Sequence, residues 1–144
     1  MARITKAMRE FVLQRAHARC EYCATQMAIV VEMEIDHIVP ESAGGATVEE
    51  NLALACVSCN AHKSNFQRAE DPDSGEQVRL YNPRTDIWAE HFVWQLEGTL
   101  ISGVTAIGRA TVDRLRMNRS AVVSARSHWV QAGWHPPTTM LRSD

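Results

Sequence analysis

The chain has 144 residues, 45% of them hydrophobic and 22% charged, with a formal net charge of -2. Such totals fit one ordinary globular domain, or a small core with an accessory layer, and exclude a disordered polyelectrolyte. No apolar run approaches the ~20 residues needed to cross a bilayer, and MARITKAMREF lacks the apolar core and cleavage site of a secretory signal, so the expectation is a cytoplasmic protein with no membrane contact.

Charge is unevenly spread. Residues 1 to 20 carry Arg3, Lys6, Arg9, Arg15 and Arg19 against Glu10, and residues 101 to 144 carry six arginines against Asp113 and Asp144. The acids gather between, in 21 to 60 and 70 to 100. Two basic ends around an acidic middle fit a phosphate-binding rim; solvated helix faces are the simpler reading.

In chain order, TKAMREFVLQRAHA (5 to 18) places Met8, Phe11, Val12 and Ala16 on one face at helical spacing, with Thr5 as N-cap. AIVVEMEIDHI (28 to 38) reads as a strand that Pro40 ends and Gly44-Gly45 turns. NLALAC, opened by Asn51, is a short apolar run able to pair with that strand. NAHKSNFQRA looks like the start of a helix that stops before Asp71-Pro72. DPDSGEQVRLYNPR (71 to 84) has the composition of a linker or surface loop. Trp88 to Gln95 and Thr99 to Val104 suggest two strands joined at Glu97-Gly98. Two helices follow: TAIGRATVDRLRMN, capped by Thr105, and SAVVSARSHWVQA, closed by Gly133.

All four cysteines fall in two pairs, Cys20-Glu-Tyr-Cys23 and Cys56-Val-Ser-Cys59. A reducing compartment argues against disulfides. Two C-x-x-C pairs fit tetrahedral thiolate ligation of a structural Zn²⁺, each pair forming one knuckle. Such a closed site has no open coordination position, so it staples the first helix to the segment at Cys56 and does no chemistry.

The adjacent Asp36-His37 raises a different question, because neighbouring residues on a regular strand point to opposite faces. They share a task only if the pleat breaks after Ile35, which Pro40 and the glycines suggest.

From Cys20 to Lys63 the chain reads C-x-x-C, E-I-D-H-I-V-P, G-G, N-L, C-x-x-C-N-x-x-K. The order resembles the HNH endonuclease family over about a third of the chain. The resemblance implies a ββα-metal (His-Me finger) core at 1 to 70; with the elements read above, the expectation is an α+β protein whose accessory extension at 71 to 144, a β-hairpin and two helices, packs on that core. It also implies a metal-dependent DNA endonuclease. His37 is then the general base, Asn51 the residue holding the loop that orients it, and Asp36 and Asn60 the ligands of a catalytic metal. Many members carry histidine where Asn60 stands here. Glu34, on the face of Asp36, is a further candidate helper.

The chemistry agrees with that assignment. Phosphodiester hydrolysis near neutral pH needs a base that is neutral there, and unperturbed imidazole titrates near 6.5. A carboxylate and an amide oxygen suit Mg²⁺ or Mn²⁺. Lys63, three residues after Asn60 on one helix face, is either a substrate-binding cation for phosphate or an ordinary surface lysine. His62 and the other histidines read as structural, and the four tryptophans as packing rather than base stacking. The alternative to an enzyme is a zinc-stabilised nucleic-acid-binding module that cleaves nothing. Target sequence and oligomeric state are not written in the sequence.

Overall fold

The computed structural model describes residues 3–27 and 32–137; the first part of the expected strand, 28 to 31, lies outside the described residues. Helix α1 spans Lys6–Arg15, and the Thr5 hydroxyl accepts from the Met8 amide at 3.1 Å, as an N-cap should. Positive φ at His17 and Ala18 turns the chain out of the helix toward the first cysteine pair.

Strands β1 (Met33–His37) and β2 (Leu52–Cys56) form an antiparallel ladder with Met33 opposite Cys56 and His37 opposite Leu52. Every residue of β2 is buried, because the sheet is covered on both faces. Leu52 and Leu54 pack with Val12 and Ala16 of α1, while Ala53 and Ala55 belong to a larger cluster that includes the four cysteines. Full burial of side chains such as Val12 and Leu52 contributes about 1.5–3 kcal/mol each. On β1, Met33 and Ile35 pack toward α1, so alternation turns Glu34 and Asp36 to the other side, where helix α2 (Val57–Lys63) lies.

Three sequence expectations change here. The second helix starts inside the knuckle, not at Asn60, because the Cys56 sulfur accepts from the Cys59 amide at 3.4 Å and caps it. It ends at Lys63, since Ser64 takes φ 51°. The segment after it is no linker. Strand β3 (Arg68–Glu70) pairs with β4 (Gln77–Arg79), and Asp71 organises the turn by accepting from Asp73 N at 3.1 Å and Ser74 Oγ at 2.8 Å. A bidentate fork from Arg109, both contacts at 2.9 Å, holds the buried Asp71 carboxylate and drives its pKa far below the usual range. Trp88–His91, expected as strand, forms one helical turn, α3.

Strands β5 (Phe92–Gln95) and β6 (Leu100–Gly103) form the expected hairpin, followed by α4 (Ala106–Arg114) and α5 (Ser120–Gln131). Thr105 caps α4 by accepting from Gly108 N at 3.0 Å. Gly108 has no side chain because a Cβ there would collide with the His91 carbonyl. The extension and the cysteine region share one core: Trp88 is fully buried, donates to the Tyr22 carbonyl at 2.9 Å and stacks with Phe92 and Trp94. Arg84 pairs with Glu21 between the two cysteines of the first knuckle. No described helix is long and apolar enough to cross a membrane.

His135 gives the fold a measurable acid sensitivity. It is buried against Trp94, with Nε2 3.1 Å from the Gly98 carbonyl, and burial, with Arg126 nearby, pushes its pKa down to about 4. An unfolded histidine titrates near 6.5, so between those values the unfolded state binds the extra proton. Its contribution is full above about pH 6.5 and is lost as pH falls toward 4. Urea midpoints should therefore drop from neutral pH to pH ~5 more steeply in the wild type than in His135→Gln; parallel pH profiles would contradict this.

Candidate active site and metal centre

The four cysteine sulfurs lie within 4.8 Å of one another, and all four residues are buried. Cys23 and Cys56 Sγ are 3.7 Å apart. Four sulfurs at ~2.3 Å from a central Zn²⁺ have edges of about 3.8 Å, so the quartet fits a tetrahedral ion. Burial pushes the Cys20 thiol well up, while hydrogen bonds from its neighbours, Cys20 first, pull Cys23 well down. Four sulfurs brought this close in so dry a place are arranged to share a cation. Among the described residues this is the one group of three or more His, Cys, Asp or Glu side chains placed to hold a metal.

At the far end of the β1–β2 ladder, residues 38 to 51 make the connecting loop, and Asn51 closes it. Its Oδ1 accepts from Val39 N at 2.8 Å, and its Nδ2 donates to the carbonyls of Val39 at 3.0 Å and Ala46 at 2.9 Å. The double glycine has two separate causes. Gly44 takes φ 89°, and a Cβ on Gly45 would run into the Val39 carbonyl. The loop carries Thr47, whose hydroxyl is 2.9 Å from His37 Nε2. Asn51 thus fixes the loop that fixes the imidazole.

The pleat does not break after Ile35. The ladder runs through Asp36 opposite Ala53 and His37 opposite Leu52, so the two side chains leave opposite faces of β1. Asp36 turns toward α2 and is 4% exposed. It accepts from the Tyr22 hydroxyl at 2.7 Å and pairs with Lys63 Nζ at 3.1 Å. Burial pushes the Asp36 carboxyl up, against the pull of Lys63 and Tyr22. The Tyr22 phenol is pushed well up by burial and then by Asp36, so it stays a donor. His37, half-buried at the end of the ladder, turns toward Thr47.

Lys63 is not an ordinary surface lysine. It is 2% exposed and also donates to the carbonyls of His37 at 3.4 Å and Ile38 at 3.2 Å. Asn60, one turn earlier on α2, donates to Glu34 Oε1 at 2.7 Å. Strand and helix therefore meet through two polar rungs, an outer one of Glu34 with Asn60 and a buried one of Asp36 with Lys63. Their oxygens are hard donors of the kind Mg²⁺ or Mn²⁺ takes, and a carboxylate in two hydrogen bonds keeps acceptor capacity.

Sequence reasoning missed Tyr22 and Thr47. Tyr22 sits inside the first C-x-x-C, where the cysteines draw attention from it, and nothing local marks Thr47. His62 Nδ1 contacts the Ser58 carbonyl at 2.8 Å within α2. Of the tryptophans, Trp88 and Trp129 are packed, whereas Trp134 is 55% exposed.

Residues 20–66 match the HNH endonuclease family, so the chain carries an HNH domain built on the knuckles, the β1–β2 ladder and α2. It is similar to the CRISPR-associated endonuclease Cas9 of Corynebacterium diphtheriae, 39% identical over 54 residues, which are 37% of this chain and 5% of that protein. It is also similar to the Septu protein PtuB of Bacillus mycoides, 27% identical over 120 residues, covering 66% of this chain and 41% of that protein. The chain thus spans well under half the length of either relative. No solved structure matches it. The family match and the endonuclease relative support a nuclease reading.

Two outcomes follow from this geometry. Elemental analysis should give one zinc per chain, and Cys59→Ala should abolish both the zinc and the cooperative melt; a metal-free protein melting like wild type would exclude the staple. Lys63→Met, which strands a buried carboxylate, should cost about 3–5 kcal/mol in urea unfolding, and Tyr22→Phe about 1–3 kcal/mol. Equal and negligible losses would mean that the knot is not formed in solution.

Proposed function

We propose that this chain is a divalent-metal-dependent DNA endonuclease. The observation that carries the reading is the joint between the HNH match at 20–66 and the Asn51 clamp, which holds a half-buried histidine at the end of a ladder whose other face turns Asp36 toward α2 and its Asn60. His37 takes the proton from the attacking water. Thr47, hydrogen-bonded to its Nε2, sets the ring's direction, and Asn51 keeps Thr47 in place. Asp36 and Asn60, with Glu34 beside them, would hold Mg²⁺ or Mn²⁺. That ion supplies Lewis-acid stabilisation of charge on the phosphate and the leaving oxygen. Lys63 acts from inside: its bonds to the His37 and Ile38 carbonyls keep the strand end in position, and its charge offsets that of Asp36.

Because Asp36 and His37 leave opposite faces, the phosphodiester meets them at the strand end, where one group can approach from each side. The other class of reading, a zinc-stabilised nucleic-acid-binding module without cleavage, is favoured by one observation: the carboxylate proposed for the metal is already paired with a buried lysine.

Plasmid cleavage decides between them. Zinc-loaded protein with Mg²⁺ or Mn²⁺ should nick or linearise plasmid, and a folded His37→Ala variant should be slower by about 10²–10⁴-fold. A wild type that binds plasmid and cuts it with neither metal would select the binding module. Undiminished cleavage by His37→Ala would remove His37 as the base.

A further inference from the structure

The connection between α4 and α5 reads Arg114-Leu-Arg-Met-Asn-Arg119. Leu115 and Met117 are fully buried and anchor it to the main core. Arg116 takes φ 51°, which turns the chain between the two helices, and it is exposed. Anchoring the apolar residues inward leaves Arg116 between them to the surface, with Arg114 and Arg119 part-buried on either side. The Arg114 guanidinium lies 4.6 Å over the ring of Phe66, which is 45% exposed just past the end of α2.

These side chains border connected hollows. One open polar groove of about 400 Å³ is lined by Phe66, Arg68, Arg114 and Arg116, with Glu70 and Asp113 also in its wall. A neighbouring hollow of about 420 Å³ shares Asp113 and Arg116 and adds Asn118 and Arg119. Arg119 in turn borders Ser58 and Ala61 of α2, the helix that carries Asn60. The four arginines outnumber the two acids along this path.

Other arginines of the extension are committed to the fold. Arg109 is held by Asp71, Arg79 by Asp86, and Arg126 donates to the carbonyls of Thr99 and Met117. Among the described residues no ion pair or hydrogen bond is formed by the side chains of Arg114, Arg116 or Arg119. Nε of Arg114 and Nη1 of Arg119 are buried without any partner. Arg116 is exposed to solvent, and phosphate oxygens satisfy guanidinium forks in pairs.

We propose that Arg68, Arg114, Arg116 and Arg119 form a track for the phosphate backbone of duplex DNA, leading along the extension to α2. The track rests on the nuclease reading for its substrate and not for its chemistry. Contacts of this type fix register and carry no sequence information, so the track holds the duplex while the HNH domain meets one bond. It gives the extension a function: a small HNH core gains a second grip on its substrate.

The test uses the full zinc-loaded chain with His37→Ala as the background, so that DNA stays intact. Binding of a fluorescent duplex is followed by anisotropy across roughly 50 to 200 mM salt. Adding Arg116→Gln and Arg119→Gln should weaken binding to unrelated duplexes alike and reduce the salt slope by about 2, one unit per lost phosphate contact. Arg9→Gln, an exposed arginine on α1, should leave affinity and slope unchanged. Thermal melts confirm that each variant is folded.

Equal affinity and slope in the double variant, or no duplex binding by the parent chain, would overturn the track. Displacement of duplex by polyglutamate at matched charge would overturn it in favour of an acidic protein partner. The nuclease reading is judged separately by His37-intact protein on plasmid. Cleavage with no effect of the arginine variants defeats the track alone, and arginine-dependent binding without cleavage defeats the nuclease alone.

Discussion

The arrangement of this molecule turns on four buried sulfurs placed to share one cation. Cys56 shows how much hangs on them: it closes β2, contributes one sulfur, and caps α2 through the Cys59 amide. The first pair is joined to the same strand by the Glu21 amide, which donates to the Leu54 carbonyl at 2.8 Å. An ion in the quartet thus sets the distance between the turn after α1 and the start of α2. That distance bears on how α2 lies against β1, where the polar rungs form.

Those rungs fix the geometry beside His37. A buried ion pair gains little net stability over an apolar pair of the same size, since both charges are desolvated. Its value here is positional. Lys63 reaches Asp36 and two successive carbonyls at the strand end, so it fixes the backbone that carries His37. Asn51 fixes the same strand end from the loop side. The imidazole is therefore restrained through both its backbone and its ring, while the outer rung of Glu34 and Asn60 remains near solvent.

The extension is more than a cover. Trp88 and Arg84 reach directly into the first knuckle, so the aromatic core of the second half is continuous with the metal-stapled first half. Its arginines divide into two groups by partner. Those facing Glu21, Asp71, Asp86 or backbone carbonyls build the fold, whereas among the described residues the side chains of Arg114, Arg116 and Arg119 form no ion pair or hydrogen bond.

The sequence by itself determined whatever depends on residue type at fixed spacing. Two C-x-x-C pairs announce the zinc staple, Thr5 and Thr105 announce the helix starts, and the run from Asp36 to Asn60 announces the HNH domain, because caps, knuckles and ladders are local patterns. The tertiary structure decided how those patterns face one another. The strand keeps its pleat through His37, contrary to the break that Pro40 and the glycines suggested, because the β2 ladder supplies partners that far. Lys63 is an interior residue, since α2 begins three residues early, at the Cys56 cap, and turns it onto Asp36. The stretch after Lys63 pairs as strands because Arg109, distant in sequence, holds Asp71 in the turn. Each depends on a partner far along the chain, and no local pattern encodes which distant residue will arrive.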